Sequence, residues 1–249
     1  MLFLQKICYT VIEDDDMKNK KIIYLVFTLL FLVVAAFGTY YSENYSNNND
    51  IDEVSYAVSD IPKYDGQSYI ILNNNEPEFN DDYSNLTEEY STLDSLGRCG
   101  VAIANVSLDT MPTEKRGSIG MIKPSGWHTV KYDNISGKYL YNRCHLIGYQ
   151  LTGENANPEN LITCTRQMNA DTMLEFENKV ADYVKKTGGH VLYRVTPVFE
   201  GDNLVATGVQ MEAKSVEDNG EAIKFNVFVY NVQDGISIDY ATGDSKLIK

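Results

Sequence analysis

The chain has 249 residues, 43% hydrophobic and 22% charged, close to ordinary globular proportions. These figures exclude a wholly disordered chain, a collagen-like chain and a multi-span membrane protein, and four cysteines are too few for a disulfide scaffold. The net charge of -14 argues against a polyanionic partner, but it is unevenly spread. Residues 98–170 hold eight basic and five acidic side chains, so that window carries +3 and the rest of the chain -17.

Near the N-terminus, Lys18, Lys20 and Lys21 precede an apolar run from Ile22 to Phe37, which Gly38 to Tyr41 extend. The run is longer than a signal-peptide core and slightly short for a spanning helix unless its edges count. An uninterrupted apolar surface is unusual for a soluble helix, which disfavours a buried core helix here. The lysines belong on the cytoplasmic side, which puts everything after residue 41 outside. The expected layout is a cytoplasmic segment at 1–21, a signal anchor or signal peptide at 22–41, a polar tether at 42–65 and a folded domain at 66–249. Ala35-Ala36-Phe37-Gly38 lacks a clean small-x-small cleavage pattern, which favours the anchor; a secreted chain remains the alternative. Glu13 to Asp16 sit oddly ahead of the lysines, and Met17 makes a more conventional first residue than Met1.

Residues 42–95 are rich in Asn, Asp, Ser and Glu, the composition of a solvated tether. Within them, Tyr69 to Leu72 reads as an edge strand, and Thr87 to Leu96 has helical spacing at Tyr90, Leu93 and Leu96. Strand-like runs follow at Cys99–Val106, Tyr139–Tyr141, His190–Phe199, Leu204–Val216 and Ile223–Val232. Met168 to Lys186 reads as a helix, with Met173, Phe176, Val180, Tyr183 and Val184 on one face and a stop at Lys185, Lys186 and Gly188-Gly189. Long strands around few helices, without βαβ alternation, predict an α+β domain with a mostly antiparallel sheet.

The chemistry concentrates in residues 139–180. A strand ends on Asn142-Arg143-Cys144-His145, a long polar loop follows, and a helix opens at Asn169. A lone imidazole opposite a helix start suits phosphodiester hydrolysis, which needs a base for water, a hard cation and positive charge at the phosphate. His145 titrates near neutrality and is the candidate base. The amide oxygen of Asn169 suits Mg²⁺. A buried histidine that merely bonds a backbone carbonyl is the competing reading of the same spacing.

This segment resembles the DNA/RNA non-specific endonucleases of the ββα-metal fold, and among them the competence and secreted deoxyribonucleases of Gram-positive bacteria. The likeness spans roughly residues 93–245 and includes residues 111–120 (MPTEKRGSIG), 123–127 (KPSGW), 209–218 (VQMEAKSVED) and 225–244. The family's Asp-Arg-Gly-His motif falls on Asn142, Arg143, Cys144 and His145, and its Asn-Pro-x-Asn on Asn157, Pro158, Glu159 and Asn160. The resemblance implies a ββα-metal motif, with catalytic roles for His145 as general base, Arg143 at the phosphate, Asn160 ordering the site, and Glu177 reaching the metal through water. It implies Asn169 as the direct ligand of Mg²⁺, with Mn²⁺ as a substitute, and 5′-phosphate ends. Lys115, Arg116, Arg143 and Arg166 are the expected contacts to DNA, with RNA as a further substrate and no small-molecule cofactor. Asn142 departs from the family's acid and Cys144 from its glycine, and a side chain beside the base crowds where glycine has none.

Three rival readings remain at this level. Cys144, His145 and Cys164 lack the close Cys-x₂₋₄-Cys pair of a structural zinc site. A disulfide outside the cell fits better, with Cys99–Cys144 preferred among three pairings. The second rival is stacking of nucleobases by some of the 18 tyrosines, against which core and strand roles are preferred. The third is a nuclease fold that holds DNA at the cell surface without cutting it; the retained His145, Asn160, Asn169 and Glu177 argue for the enzyme.

Overall fold

The β-branched and aromatic runs of the C-terminal half build the sheet on which the rest rests. The computed structural model describes residues 55–79, 83 and 85–248. The eleven strands among these residues are β1 (Ser55–Tyr56), β2 (Tyr69–Leu72), β3 (Glu88–Tyr90), β4 (Ala102–Val106), β5 (Tyr141–His145), β6 (Leu161–Thr165), β7 (Val191–Val198), β8 (Gly208–Ser215), β9 (Lys224–Tyr230), β10 (Ile236–Ile238) and β11 (Ser245–Leu247). Seven form one sheet in the order β1-β2-β9-β8-β7-β4-β3, antiparallel except for the β1–β2 pair. The expected α+β class with a mostly antiparallel sheet is what the chain adopts.

Alternation decides which face is which. Val191, Tyr193 and Val195 of β7 and Val209, Met211 and Ala213 of β8 turn to one face and are buried there. On that face lies helix α2 (Leu174–Thr187), to be distinguished from the four-residue α1 (Tyr149–Thr152). Phe176, Val180, Ala181 and Val184 of α2 are its buried stripe, and the Phe176 ring meets Tyr69 at 5.1 Å and Phe225 at 4.9 Å. The helix stops where expected: Gly188 is left-handed at φ 72° and its N–H bonds the Val184 carbonyl. The opposite face carries Gln210, Glu212 and Asn226, which would be costly to bury unpaired. Glu212 accepts from the Glu78 N–H of the strap at 75–78 and from Arg194 twice, Asn226 donates to the strap's Glu76 carbonyl, and Gln210 donates to Asn226.

Four expectations shift. Thr87–Leu96 is not helical: β3 pairs with β4, and the Asp94 carboxylate then closes a turn on the N–H groups of Leu96 and Arg98. Leu93 and Leu96, which gave the helical spacing, are both 39% exposed. Tyr69–Leu72 is one strand in from the edge, because β1 pairs outside it. Ordered structure begins before residue 65: Val58–Asp60 forms a 3₁₀ turn, and the Tyr64 ring packs on Tyr230. The expected polar loop between β5 and the helix contains a strand, β6, all five of whose residues are buried.

The expected segments 1–21 and 22–41, and the tether up to residue 54, lie outside the described residues. Among the described residues no helix is long and apolar enough to cross a membrane.

Candidate active site

The site is built on a hairpin separate from the main sheet. β5 and β6 pair antiparallel in the register Asn142↔Cys164 and His145↔Leu161. Asn231, fully buried at the end of β9, fastens this hairpin to the sheet. Its side chain accepts from the Thr165 N–H and donates to the carbonyls of Thr163 and Ala206.

The hairpin is also stapled covalently. Cys144 and Cys164 form a disulfide, with Cα atoms 5.9 Å apart. This corrects the expected Cys99–Cys144 pairing. Cys99 is free and buried, its thiol directed at the carbonyls of Pro158 and Leu161. Cys144 and Cys164 are diagonal neighbours across one hairpin, a proximity that spacing along the chain does not reveal.

His145 ends β5 and is only 6% exposed. Its Nε2 lies 2.7 Å from the Asn155 carbonyl and its Nδ1 3.2 Å from the Arg116 guanidinium. A carbonyl can only accept and a guanidinium can only donate, so both partners select one tautomer: Nε2 carries the proton and Nδ1 the lone pair. Burial pulls the imidazole down to about 4, the Arg116 charge acts in the same direction, and the Asn155 hydrogen bond opposes them. His145 is therefore neutral at physiological pH, with a basic nitrogen facing a cation.

The loop after His145 is held by two asparagines of the Asn-Pro-x-Asn motif. Asn157 accepts from the Glu159 N–H and caps the 3₁₀ turn Pro158–Asn160. That turn aims Asn160 at the backbone of Ile147, where its amide accepts from the N–H at 2.8 Å and donates to the carbonyl at 3.0 Å. Asn160 is fully buried. Both ends of its amide are spent on the Ile147 backbone, a contact in keeping with the expected role of ordering the site.

The helix expected to open at Asn169 begins instead with a π-helical turn, Met168–Met173, whose first N–H bonds the Thr165 hydroxyl. On an ideal α-helix Asn169 and Glu177 would stand about 80° apart. The wider turn winds less per residue and brings them closer to one face. The Glu177 carboxylate lies over Gly148: a Cβ there would stand 2.5–2.8 Å from all three carboxylate atoms, so only glycine leaves it room. Burial raises the Glu177 carboxyl to about 7, against a Gln150 hydrogen bond and the Arg116 charge, which lower it.

Beside this cluster is a cleft of about 500 Å³, lined in part by Arg116, Arg143, Arg166, Asn142, Asn169 and Trp127. Arg143 is only partly free. Its Nε bonds the Ile122 carbonyl, one Nη bonds the Gly120 carbonyl at 3.0 Å, and its guanidinium lies 3.9 Å over the Trp127 ring. The Arg143 side chain thus fixes the 120–127 loop as well as lining the cleft. Arg116, expected with Lys115 as a contact to DNA, reaches both His145 and the cleft. Lys115 is exposed and does not line it. No spacing rule could have found this: Arg116 arrives on an irregular loop 29 residues before His145. The nearest sequence signal is Gly117, where a Cβ would stand 2.7 Å from the Asn155 amide nitrogen and displace that side chain.

The family model for DNA/RNA non-specific endonucleases matches residues 79–217. NucA from Streptococcus agalactiae, solved with a magnesium ion bound, is 28% identical with a TM-score of 0.67, over 77% of this chain and 94% of NucA. The Sda1 nuclease, solved with a bound zinc ion, is 30% identical with a TM-score of 0.54, over 66% of this chain and 80% of Sda1. A protein described as an extracellular endonuclease, 19% identical with a TM-score of 0.53 over 74% of this chain and all of its own, shares the fold.

Proposed function

Because this chain belongs to the DNA/RNA non-specific endonuclease family, we propose that it hydrolyses DNA, and RNA as a second substrate, at phosphates seated among Arg116, Arg143 and Arg166. The observation that carries the reading is the imidazole held in a single tautomer. His145 Nδ1 keeps its lone pair above about pH 4, and once the Arg116 guanidinium that donates to it turns to the phosphate, that lone pair can take a proton from an attacking water. The arginines supply fixed positive charge where the phosphate oxygens gain negative charge. Asn157 and Asn160 position the loop whose Asn155 carbonyl orients the ring. Phosphate contacts of this kind carry no base information, so little sequence preference is expected.

The donor set was tested against a divalent cation. Among the described residues no group of three His, Cys, Asp or Glu side chains could hold a metal alone. Two of the cysteines are joined, Cys99 is buried against carbonyls, and both ring nitrogens of His145 are engaged. That set does not fit structural zinc. An amide oxygen in the cleft and a carboxylate seated over Gly148 do fit a hard cation that shares its shell with water and substrate. Asn169 would hold Mg²⁺, or Mn²⁺ in its place, directly, and Glu177 through water. Bound there, the cation supplies Lewis-acid charge at the phosphate. Products with 5′-phosphate ends follow from the family resemblance. The Cys144–Cys164 disulfide supports a domain outside the membrane, where such bonds persist.

Plasmid nicking with Mg²⁺ and with EDTA, paired with thermal melting, tests the reading. Cutting is expected only with metal, and the melt is expected to be unchanged by chelation, unlike that of a zinc-folded domain. Full activity in EDTA overturns the metal. Plasmid binding without nicking in either metal would make the chain a binding module instead.

A further inference from the structure

Most aromatic rings among the described residues are spent on structure. Of the tyrosines, phenylalanines and tryptophan among the described residues, only Tyr64 and Tyr139 are exposed, at 36% and 47%. Tyr64 has a visible role: its hydroxyl bonds Asp234 and its ring packs edge-on against Tyr230 at 5.5 Å. Tyr139 has no such role, and it stands in the wall of the cleft that also presents Arg116, Arg143, Arg166 and Asn169.

Its placement is firm. Tyr139 pairs with Lys131 across a short turn, and the next residue, Leu140, is fully buried. The backbone is thus fixed while the ring is left in solvent. The Lys131 ammonium sits over the ring, 4.4 Å from its centroid, and covers one face, so a base would stack on the other, next to a cleft already rich in arginine. A flat apolar ring next to cations able to take phosphates suits a nucleotide, whose base and phosphate must be satisfied together. Stacking on such a ring tolerates any base, because every base has a π-face. Within a duplex both faces of each base are covered by neighbours, so only an unpaired base can use it.

We propose that Tyr139 is a nucleobase-stacking subsite, with Lys131 at the adjoining phosphate, which makes the cleft favour single-stranded or locally unpaired nucleic acid over intact duplex. The proposal rests on the nuclease reading above. The test is fluorescence anisotropy in EDTA with a short labelled single strand and with its duplex, each shown intact on a gel afterwards. Tyr139→Ala is expected to weaken single-strand binding about tenfold and duplex binding by less than about twofold, while Tyr139→Phe keeps the wild-type preference. Unchanged single-strand binding by Tyr139→Ala, or equal losses on both forms, overturns the subsite and leaves the nuclease reading standing if the wild type binds and cuts. A wild type that binds neither form overturns the subsite, and one that also fails to nick plasmid in Mg²⁺ overturns the nuclease reading as well.

Discussion

In the β7–β8–β9 sheet each buried residue is held many times over. Tyr193, Met211 and Val227 sit in ladders with partners on both sides, and their inward direction repeats every second residue. Between Tyr141 and Glu177 the two titrating groups of the site are each placed by few contacts. A single carbonyl fixes one nitrogen of His145, a single guanidinium meets the other, and one glycine leaves room for Glu177. The sheet therefore gives stability through redundancy, and the site gives placement through few contacts. Damage to the two regions should have different signatures.

The sharpest contrast pairs a site residue with a sheet residue. His145→Ala is expected to lose about 10²–10⁴ in cleavage rate, the usual worth of a general base, and to keep the fold. Phe225→Ala, which empties space between α2 and the sheet, is expected to cost about 3–5 kcal/mol of stability and to leave the rate per folded molecule near wild type. Cleavage rates and denaturant melts on both variants check this, and a His145→Ala enzyme as fast as wild type would break the comparison.

The staple comes next. Replacing Cys144 and Cys164 together by alanine removes a link across 20 residues of chain. It should lower stability by about 3 kcal/mol, read by melting with and without reductant. Reductant should move the wild type toward the variant and leave the variant where it is.

The candidate site also carries opposed pH dependences, best read in EDTA. The folded pKa of His145 is lowered to about 4, so its contribution is full above the unfolded value near 6.5 and is lost as pH falls toward 4. That loss is about 3 kcal/mol in all. The folded pKa of Glu177 is raised to about 7, so stability falls as pH rises from about 4.5 through 7. Denaturant titrations of His145→Gln should lose the acid-side slope, and those of Glu177→Gln the neutral-side slope. If His145→Gln keeps the wild-type acid slope, burial of the imidazole does not cause it.

The smallest difference separates two adjacent cations. Arg116→Ala should slow cutting about 10²-fold, because it removes charge beside the base and in the cleft. Lys115→Ala, exposed and outside the cleft, should change affinity by less than about threefold and mainly at low salt. Equal losses would mean that the loop acts through its total charge alone.

Much of the fold was legible before any coordinates. The alternating runs at 190–199, 204–216 and 223–232 became β7, β8 and β9 with trimmed ends, and α2 stopped at the lysines and glycine that mark its end. Thr87–Leu96 misled because three residues at helical spacing do not outweigh a strand partner that pairs in space. β6 was passed over because its five-residue run lies between polar neighbours and pairs with a strand 16 residues back.

By itself the sequence determined the class of the domain and the residue types gathered at the candidate site. Those follow from local periodicity and from a motif whose members lie close along the chain. Only the tertiary structure decided that Arg116 rather than Lys115 meets His145, that Cys164 rather than Cys99 meets Cys144, and that Asn160 turns its amide to Ile147. It also decided that Tyr139, alone among the exposed rings, lines the cleft. Each of these depends on where an irregular loop or a neighbouring strand comes to rest. That is fixed by packing summed over the whole domain, and no spacing along the chain encodes it.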